Sequence, residues 1–291
     1  MLRVPQYNAV WHKTPNRNNP AKVPMRKIAS RICAVTLAAI TPLFITSTIL
    51  NLPAATVHVI SVVQGVKITQ PVGTRYIEQD QLVELASYLR KISVTIKVET
   101  ADGEGQGSGT LFHSEDCGWF IITANHVVED TLKCNGKITA VRVLYYGPDI
   151  VGRATCRCEV VSHSAGYDLA LLRVLSDDEA FFSTSGRFSP ERYLPPGSTL
   201  IHCGSFHGEE HGHNSISTGI VAALSRTVLG TYVDQSTAPA FPGSSGGGMF
   251  DKEGRFVGVL VSGASDTLNY FVPIRKVREW AAKENLPLTI E

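Results

Sequence analysis

The stretch FPGSSGGGMF, residues 241–250, places Ser244 and Ser245 among four glycines. Glycine adopts backbone angles that other residues avoid, so this stretch can form a tight turn with close backbone approach to a ligand. Such a turn would present the Ser245 hydroxyl and direct the N–H groups of Gly243 and Ser245 into one pocket, where they can stabilise an oxyanion. A flexible Gly/Ser linker is the alternative interpretation of the stretch taken alone.

A serine hydroxyl becomes a strong nucleophile beside a base, usually a histidine that a carboxylate orients. Among the nine histidines, His126 follows the apolar, β-like run of GWFIITANHVV (118–128), so we expect its imidazole to project from the end of a strand. Asp168 opens the apolar strand DLALLRV (168–174) and is expected to be partly buried beside a donor such as an imidazole N–H. His126, Asp168 and Ser245 are therefore the candidate catalytic residues. Taken singly, a strand-end histidine and a turn-capping aspartate are the alternatives.

Short β-like segments separated by Gly and Pro make up most of the chain after residue 83. Strands at such short intervals are typical of an all-β barrel or sandwich rather than of βαβ units. Residues 273–286 have apolar side chains at helical spacing and predict a single terminal helix. The predicted strands are 92–100, 107–113, 118–128, 137–146, 157–163, 168–174, 198–205, 215–225, 231–236, 255–263 and 269–274.

Residues 83–286 resemble the trypsin-like (chymotrypsin-fold) serine proteases, and specifically their HtrA-like branch. TANHVV is similar to the catalytic-histidine segment of that family, DLALLRV to its catalytic-aspartate strand and FPGSSGGGMF to its nucleophile turn. GSGTLF (107–112) and LPPGSTLIHCGSF (194–206) add weaker similarity. The resemblance implies an all-β fold of two six-stranded antiparallel β-barrels, split near residues 180–195, with a C-terminal helix.

The same resemblance implies a serine endopeptidase that cleaves proteins or peptides through an acyl-enzyme intermediate. It assigns the triad to His126, Asp168 and Ser245, and the oxyanion hole to Gly243, Ser244 and Ser245. No cofactor is implied. A catalytically silent protease fold that serves as a binding module, and a viral-type protease limited to autoprocessing, are the alternative functions.

The substrate pocket implied by the family lacks acidic residues, so small or medium apolar side chains are expected at the cleaved position. HtrA-like relatives are often trimers, which implies a homo-oligomer.

Three departures from the family are Asn125 in place of alanine, Ser244 in place of the aspartate of digestive relatives, and an expected lack of a PDZ domain. The implied pocket residues are Pro239, Ala240, Phe241, Pro242, Val261, Ser262, Gly263 and Asn269.

Charge and hydropathy divide the N-terminal part of the chain. Residues 1–31 carry seven Lys or Arg and no acid, so the rest of this chain of net charge +1 is mildly acidic and is not expected to bind nucleic acid. Residues 32–55 are uncharged and mostly apolar over more than the ~20 residues that a membrane-spanning helix needs.

We therefore predict that a basic cytosolic tail (1–31) precedes a transmembrane helix (32–55) and a linker (56–82). The protease-like domain (83–291) would then lie on the translocated side, in a periplasm, a lumen or the extracellular space. A cleaved signal peptide, a mitochondrial presequence and a buried core helix are the alternatives for the apolar run.

The cysteines and a histidine-rich loop suggest further sites. Trypsin-like relatives often carry a disulfide beside the catalytic histidine, so the resemblance implies a Cys117–Cys134 bridge, with two reduced thiols as the alternative. Cys156 and Cys158 would share one face of a strand. HCGSFHGEEHGH (202–213) has histidines, but their spacing matches no standard zinc site, so a polar loop is favoured over a metal site.

Overall fold

The computed structural model describes residues 79–146, 149–176, 184–228, 230–265 and 267–288, which lie in one compact unit. The predicted basic tail, the predicted membrane anchor and most of the predicted linker lie outside these residues. Within the described ranges, no helix has both the length and the apolar character to cross a membrane.

The first half of the unit is a closed six-stranded antiparallel barrel. Its strands follow the spatial order β1-β2-β3-β6-β5-β4, and the pairing of β1 with β4 closes the ring. The strands are β1 (Ser93–Thr100), β2 (Gly103–Ser114), β3 (Gly118–Thr123), β4 (Lys137–Tyr146), β5 (Asp149–Ser164) and β6 (Leu169–Leu175).

The second half repeats this architecture in the spatial order β10-β11-β12-β9-β8-β7, closed by the pairing of β10 with β7. The predicted pair of six-stranded antiparallel sheets is thus confirmed. The strands are β7 (Thr199–Gly204), β8 (Ser215–Val228), β9 (Thr231–Ser236), β10 (Gly248–Phe250), β11 (Phe256–Ser265) and β12 (Leu268–Pro273).

The longer helices pack against strands of the barrels. The terminal helix was predicted, and it buries Val277 and Trp280 in the core. The other helices were not predicted, and the expected domain boundary at residue 83 falls inside the first of them. The helices are α1 (Gln79–Ile92), α2 (Asn125–Cys134), α3 (Glu209–Gly212) and α4 (Ile274–Lys283).

Apolar side chains from the strands fill the cores of the barrels. Val94, Ile96 and Val98 of β1 are all buried, as expected for the inward face of a strand of period two. On β5, Cys156 and Cys158 share the inward face and lie in the same core cluster, as predicted. A rigid core of this kind holds in place the turns and the helix that connect the strands.

Candidate active site

His126 lies in the first turn of α2 and not at the end of a strand, so that part of the prediction is wrong. Strand β3 ends at Thr123, and Ala124 occupies the N-cap position with extended backbone angles (φ −81°, ψ 144°). The apolar pattern hid this boundary because Val127 and Val128 continue it as the buried face of the helix. A short apolar run does not separate strand from helix by periodicity alone.

Asp168 ends the turn that precedes β6, and its carboxylate contacts two groups of His126. Its backbone adopts the left-handed region (φ 52°), which aspartate tolerates better than most residues. Oδ1 accepts a hydrogen bond from the His126 backbone N–H at 3.0 Å. Oδ2 lies 2.9 Å from the imidazole Nδ1. The carboxylate therefore fixes the ring and favours the tautomer in which Nδ1 carries the proton.

The other imidazole nitrogen of His126 is available for chemistry. In the part of the chain that the structure describes, Nε2 is buried and has no hydrogen-bond partner, so the Ser245 hydroxyl does not bond to it here. Contacts between a base and a nucleophile are often long before substrate binds and tighten in the reacting complex. With Nδ1 protonated, the Nε2 lone pair can accept a proton.

The segment around Ser245 forms a compact turn and not a linker. Gly243 has a left-handed backbone with φ 91°. The Ser244 N–H donates to Phe241 O at 2.9 Å, and the Gly247 N–H donates to Ser244 O at 2.9 Å. The Ser244 hydroxyl accepts from the Phe241 N–H at 3.0 Å. These bonds fix the backbone on both sides of Ser245.

Two N–H groups of this turn point away from its internal bonds. The Pro242 carbonyl accepts from the His207 N–H at 2.6 Å, and the Ser244 carbonyl accepts from Gly247. Because N–H and C=O of a trans peptide point in opposite directions, these bonds aim the N–H groups of Gly243 and Ser245 outward. Among the described residues neither of these two N–H groups has a partner.

The predicted oxyanion hole needs one correction, at Ser244. Its N–H group is engaged with Phe241 O and cannot face a substrate, while its hydroxyl bonds the Phe241 N–H. The candidate hole therefore consists of the N–H groups of Gly243 and Ser245, with Ser244 serving to close the turn.

Backbone contacts bring the Ser245 turn against the segment that carries His126. The Ser108 N–H donates to Ser245 O at 2.7 Å. A side chain on Gly246 would overlap the Thr123 hydroxyl and would lie 3.0 Å from Ala124 N. The turn that carries Ser245 is thus packed against Thr123 and Ala124, the residues immediately before Asn125 and His126.

The residues predicted to line the substrate pocket lie around the same turn. Leu260 of β11 exchanges hydrogen bonds with the turn, donating to Gly247 O and accepting from the Gly246 N–H. Asn269 of β12 is fully buried, pairs with Gly263 across the strands and donates from Nδ2 to Ala238 O at 2.8 Å. The Gly263–Asn269 pairing and the bond to Ala238 connect the three predicted stretches: Pro239, Ala240, Phe241 and Pro242; Val261, Ser262 and Gly263; and Asn269.

Sequence reasoning left the amide of Asn125 without partners, and the structure provides two. The side chain of Asn125 is buried, its Oδ1 lies 3.1 Å from His163 Nδ1, and its Nδ2 lies 3.4 Å from Glu129 Oε2. The sequence gives no sign of a role for Ser108, although the GSG motif that contains it resembles the family. No sequence pattern indicates hydrogen bonds to residues more than a hundred positions away.

The implied Cys117–Cys134 disulfide is not formed, and both cysteines are exposed free thiols. Cys117 lies in the turn between β2 and β3, whereas the Cys134 thiol donates a hydrogen bond to a carbonyl of its own helix, Asp130 O, at 2.9 Å.

Within the described ranges, no group of three potential ligands could hold a metal. His202 of the histidine-rich stretch faces the interior, and burial lowers its pKa to about 4.

Comparison with known proteins identifies the family of the chain. The family model for the trypsin-like peptidase domain matches residues 107–259, which is more than half of the chain. The chain is 29% identical over 159 residues to a serine protease Do-like HtrA of Lactobacillus helveticus, covering 53% of this chain and 35% of that protein. It is 31% identical over 165 residues to the corresponding protein of Bacillus subtilis (strain 168), covering 53% and 33%.

The chain thus spans about a third of the length of these curated relatives. Among solved structures, the fold is similar to the crystal structure of Deg5, with a TM-score of 0.57 and 22% identity. That match covers 70% of this chain and 93% of Deg5. The HtrA-like resemblance seen in the sequence is confirmed, and the chain belongs to the trypsin-like peptidase domain family.

Proposed function

We propose that the chain is a serine endopeptidase in which His126, Asp168 and Ser245 form the catalytic triad. The observation that carries this proposal is the 2.9 Å contact between His126 Nδ1 and Asp168 Oδ2, beside a turn with two outward N–H groups. Membership of a peptidase family and similarity to proteins named serine proteases support the same conclusion.

The proposed reaction uses these groups in a fixed order. Ser245 Oγ attacks the scissile carbonyl carbon while His126 Nε2 takes the hydroxyl proton, and Asp168 stabilises the resulting imidazolium. The carbonyl oxygen becomes an oxyanion and accepts hydrogen bonds from the N–H groups of Gly243 and Ser245. His126 then protonates the leaving amine, and a water molecule activated by His126 hydrolyses the acyl-enzyme.

The pocket around the nucleophile turn supports a preference for small or medium apolar side chains at the cleaved position. Ala240 and Val261 are small or aliphatic and almost fully buried, and Asn269 is a neutral amide. A basic side chain would find no carboxylate among the implied pocket residues to replace its lost hydration. Peptide anilides ending in Ala or Val should therefore be cleaved faster than those ending in Lys.

Labelling with a fluorophosphonate probe tests the proposed activity directly. The wild-type chain should be labelled on Ser245, as located by peptide mass spectrometry, and should degrade denatured casein. Ser245→Ala should abolish both, whereas Ser244→Ala keeps the nucleophile and should still be labelled. A wild-type chain that neither reacts nor degrades casein would support the silent binding module. A single Ser245-dependent cut before residue 83 would support autoprocessing.

We also propose that residues 32–55 tether the peptidase domain to a membrane, with residues 1–31 in the cytosol. The support is the uncharged apolar run behind a basic segment. We expect the expressed chain to resist extraction from membranes by carbonate. We also expect the peptidase domain to be accessible only from the translocated side of the membrane. Release of a soluble, shortened chain would favour a cleaved signal peptide or presequence instead.

A further inference from the structure

We propose that Ser108 is a positioning residue that holds the nucleophile turn in its reactive conformation. Ser108 lies on β2 of the first barrel and is fully buried, whereas the turn belongs to the second barrel. This inference rests on the proposed peptidase activity, and it assigns a role to the GSG motif of residues 107–109.

Ser108 contacts the turn through two separate groups. Its backbone N–H donates to Ser245 O at 2.7 Å, and its hydroxyl donates to Gly243 O at 2.7 Å. These two carbonyls belong to the same residues that supply the N–H groups of the candidate oxyanion hole. Ser108 therefore bonds both residues of the candidate hole, Ser245 through its backbone N–H and Gly243 through its hydroxyl.

The remaining polar groups of Ser108 anchor it in place. Its hydroxyl oxygen accepts from the Ser205 N–H at 2.8 Å, and its carbonyl accepts from the Thr123 hydroxyl at 2.7 Å. The Ser205 hydroxyl in turn bonds the Thr95 hydroxyl of β1. Ser108 thus connects the end of β7, the segment leading to His126 and the nucleophile turn.

Loss of the hydroxyl would leave two buried groups without partners, the Gly243 carbonyl and the Ser205 N–H. Unpaired buried polar groups are costly, so the backbone should shift to satisfy them. Gly243 is the residue most free to rotate, because it has no side chain. Rotation there would turn its N–H away from the substrate oxyanion, which weakens transition-state binding more than ground-state binding.

Steady-state kinetics of the 291-residue chain on a peptide p-nitroanilide with valine at the cleaved position test this inference. Ser108→Ala should lower kcat by about 10²-fold, the effect of one lost oxyanion donor, and change KM by less than about twofold. Affinity for a peptidyl aldehyde, whose adduct places an oxyanion in the hole, should fall by a similar factor.

Two variants separate positioning from general destabilisation. Ser189→Ala removes another fully buried hydroxyl, one that bonds the Glu191 N–H outside the site, and should leave kcat unchanged. Ser205→Ala keeps the backbone N–H that bonds Ser108 and should lower kcat by less than about fivefold. Thermal unfolding shows whether each variant is folded at the assay temperature.

The outcomes distinguish this inference from the proposed activity. A wild-type chain that fluorophosphonate does not label overturns both. A labelled, active wild type with Ser108→Ala of equal kcat overturns only the role of Ser108. A raised KM at unchanged kcat also overturns it, because substrate binding and not the oxyanion hole would then depend on Ser108.

Discussion

The two barrels contribute to the site in different ways. The first barrel provides His126 and Asp168, whose side chains hold each other at 2.9 Å. The second barrel provides Ser245 on a turn in which the backbone does most of the positioning, through carbonyl bonds that aim two N–H groups outward. In the proposed site, the acid–base half is thus held by side-chain contacts, and the oxyanion half mainly by backbone hydrogen bonds.

This difference predicts different sensitivities to substitution. A change at Asp168 should act by altering the protonation and orientation of His126 while leaving the fold intact. A change in the turn that carries Ser245 should act by altering backbone conformation, even where the side chain touches no substrate. The following variants test these two expectations.

Asp168→Asn should have the largest effect, a loss of about 10⁴-fold in kcat, because an amide cannot hold the imidazole in the required tautomer. The asparagine can still accept the His126 backbone N–H and still tolerates the left-handed backbone, so the unfolding midpoint should change little. Asp130→Asn, on the exposed side of α2 beside Lys133, is the matched control and should keep full activity. A loss below about tenfold for Asp168→Asn would remove Asp168 from the triad.

Gly243→Ala tests the oxyanion half of the site. The added methyl group would overlap the Ser205 carbonyl oxygen at a residue with φ 91°, so the turn must move and the hole should lose one donor. We expect kcat to fall by about 10²- to 10³-fold, measured on the same anilide substrate.

Gly197→Ala is the control for backbone strain alone. Gly197 also has φ 91°, but a side chain there would meet open space. This variant should lose about 1 kcal/mol of stability and keep its kcat. Equal kinetic losses in both variants would show that strain, and not the geometry of the hole, limits activity.

A second contrast concerns two histidines. The His126 side chain is 24% exposed, whereas His202 in β7 is fully buried behind the turn, with Nδ1 3.1 Å from Gly248 O. Burial lowers the pKa of His202 to about 4 from a usual value of 6.5. The folded state therefore resists a proton that the unfolded state accepts, so stability is full above about pH 6.5 and falls as the pH drops towards 4.

His202→Gln should remove that pH dependence, because glutamine does not titrate. Between pH 7 and 4, the free energy of unfolding of the wild type should fall by about 3 kcal/mol more than that of the variant. Urea unfolding at several pH values measures the difference. Parallel curves for the two chains would mean that His202 is not a source of acid instability.

The difference between local patterns and long-range contacts explains how much of the structure the sequence could predict. The strand positions are tied to local patterns of apolar residues, and each predicted strand overlaps an observed one. Helix α2 was missed because Val127 and Val128 extend an apolar run across the boundary after Thr123. Ser108 was missed as a functional residue because its role depends on bonds to Gly243 and Ser245, which only the packing of two barrels creates.

Asn125→Ala should have the smallest effect and tests how far the first barrel depends on side chains outside the triad. The variant loses the hydrogen bonds of the Asn125 amide to Glu129 and to His163. His163 is exposed and can bind water instead. We expect a stability loss of about 1 kcal/mol and a change in kcat/KM below about threefold. His163→Ala removes one of the same bonds, so the double variant should lose less stability than the two single losses combined. A loss of kcat above about tenfold in a fully folded Asn125→Ala chain would mean that this amide positions His126, and that the acid–base half needs more than its carboxylate.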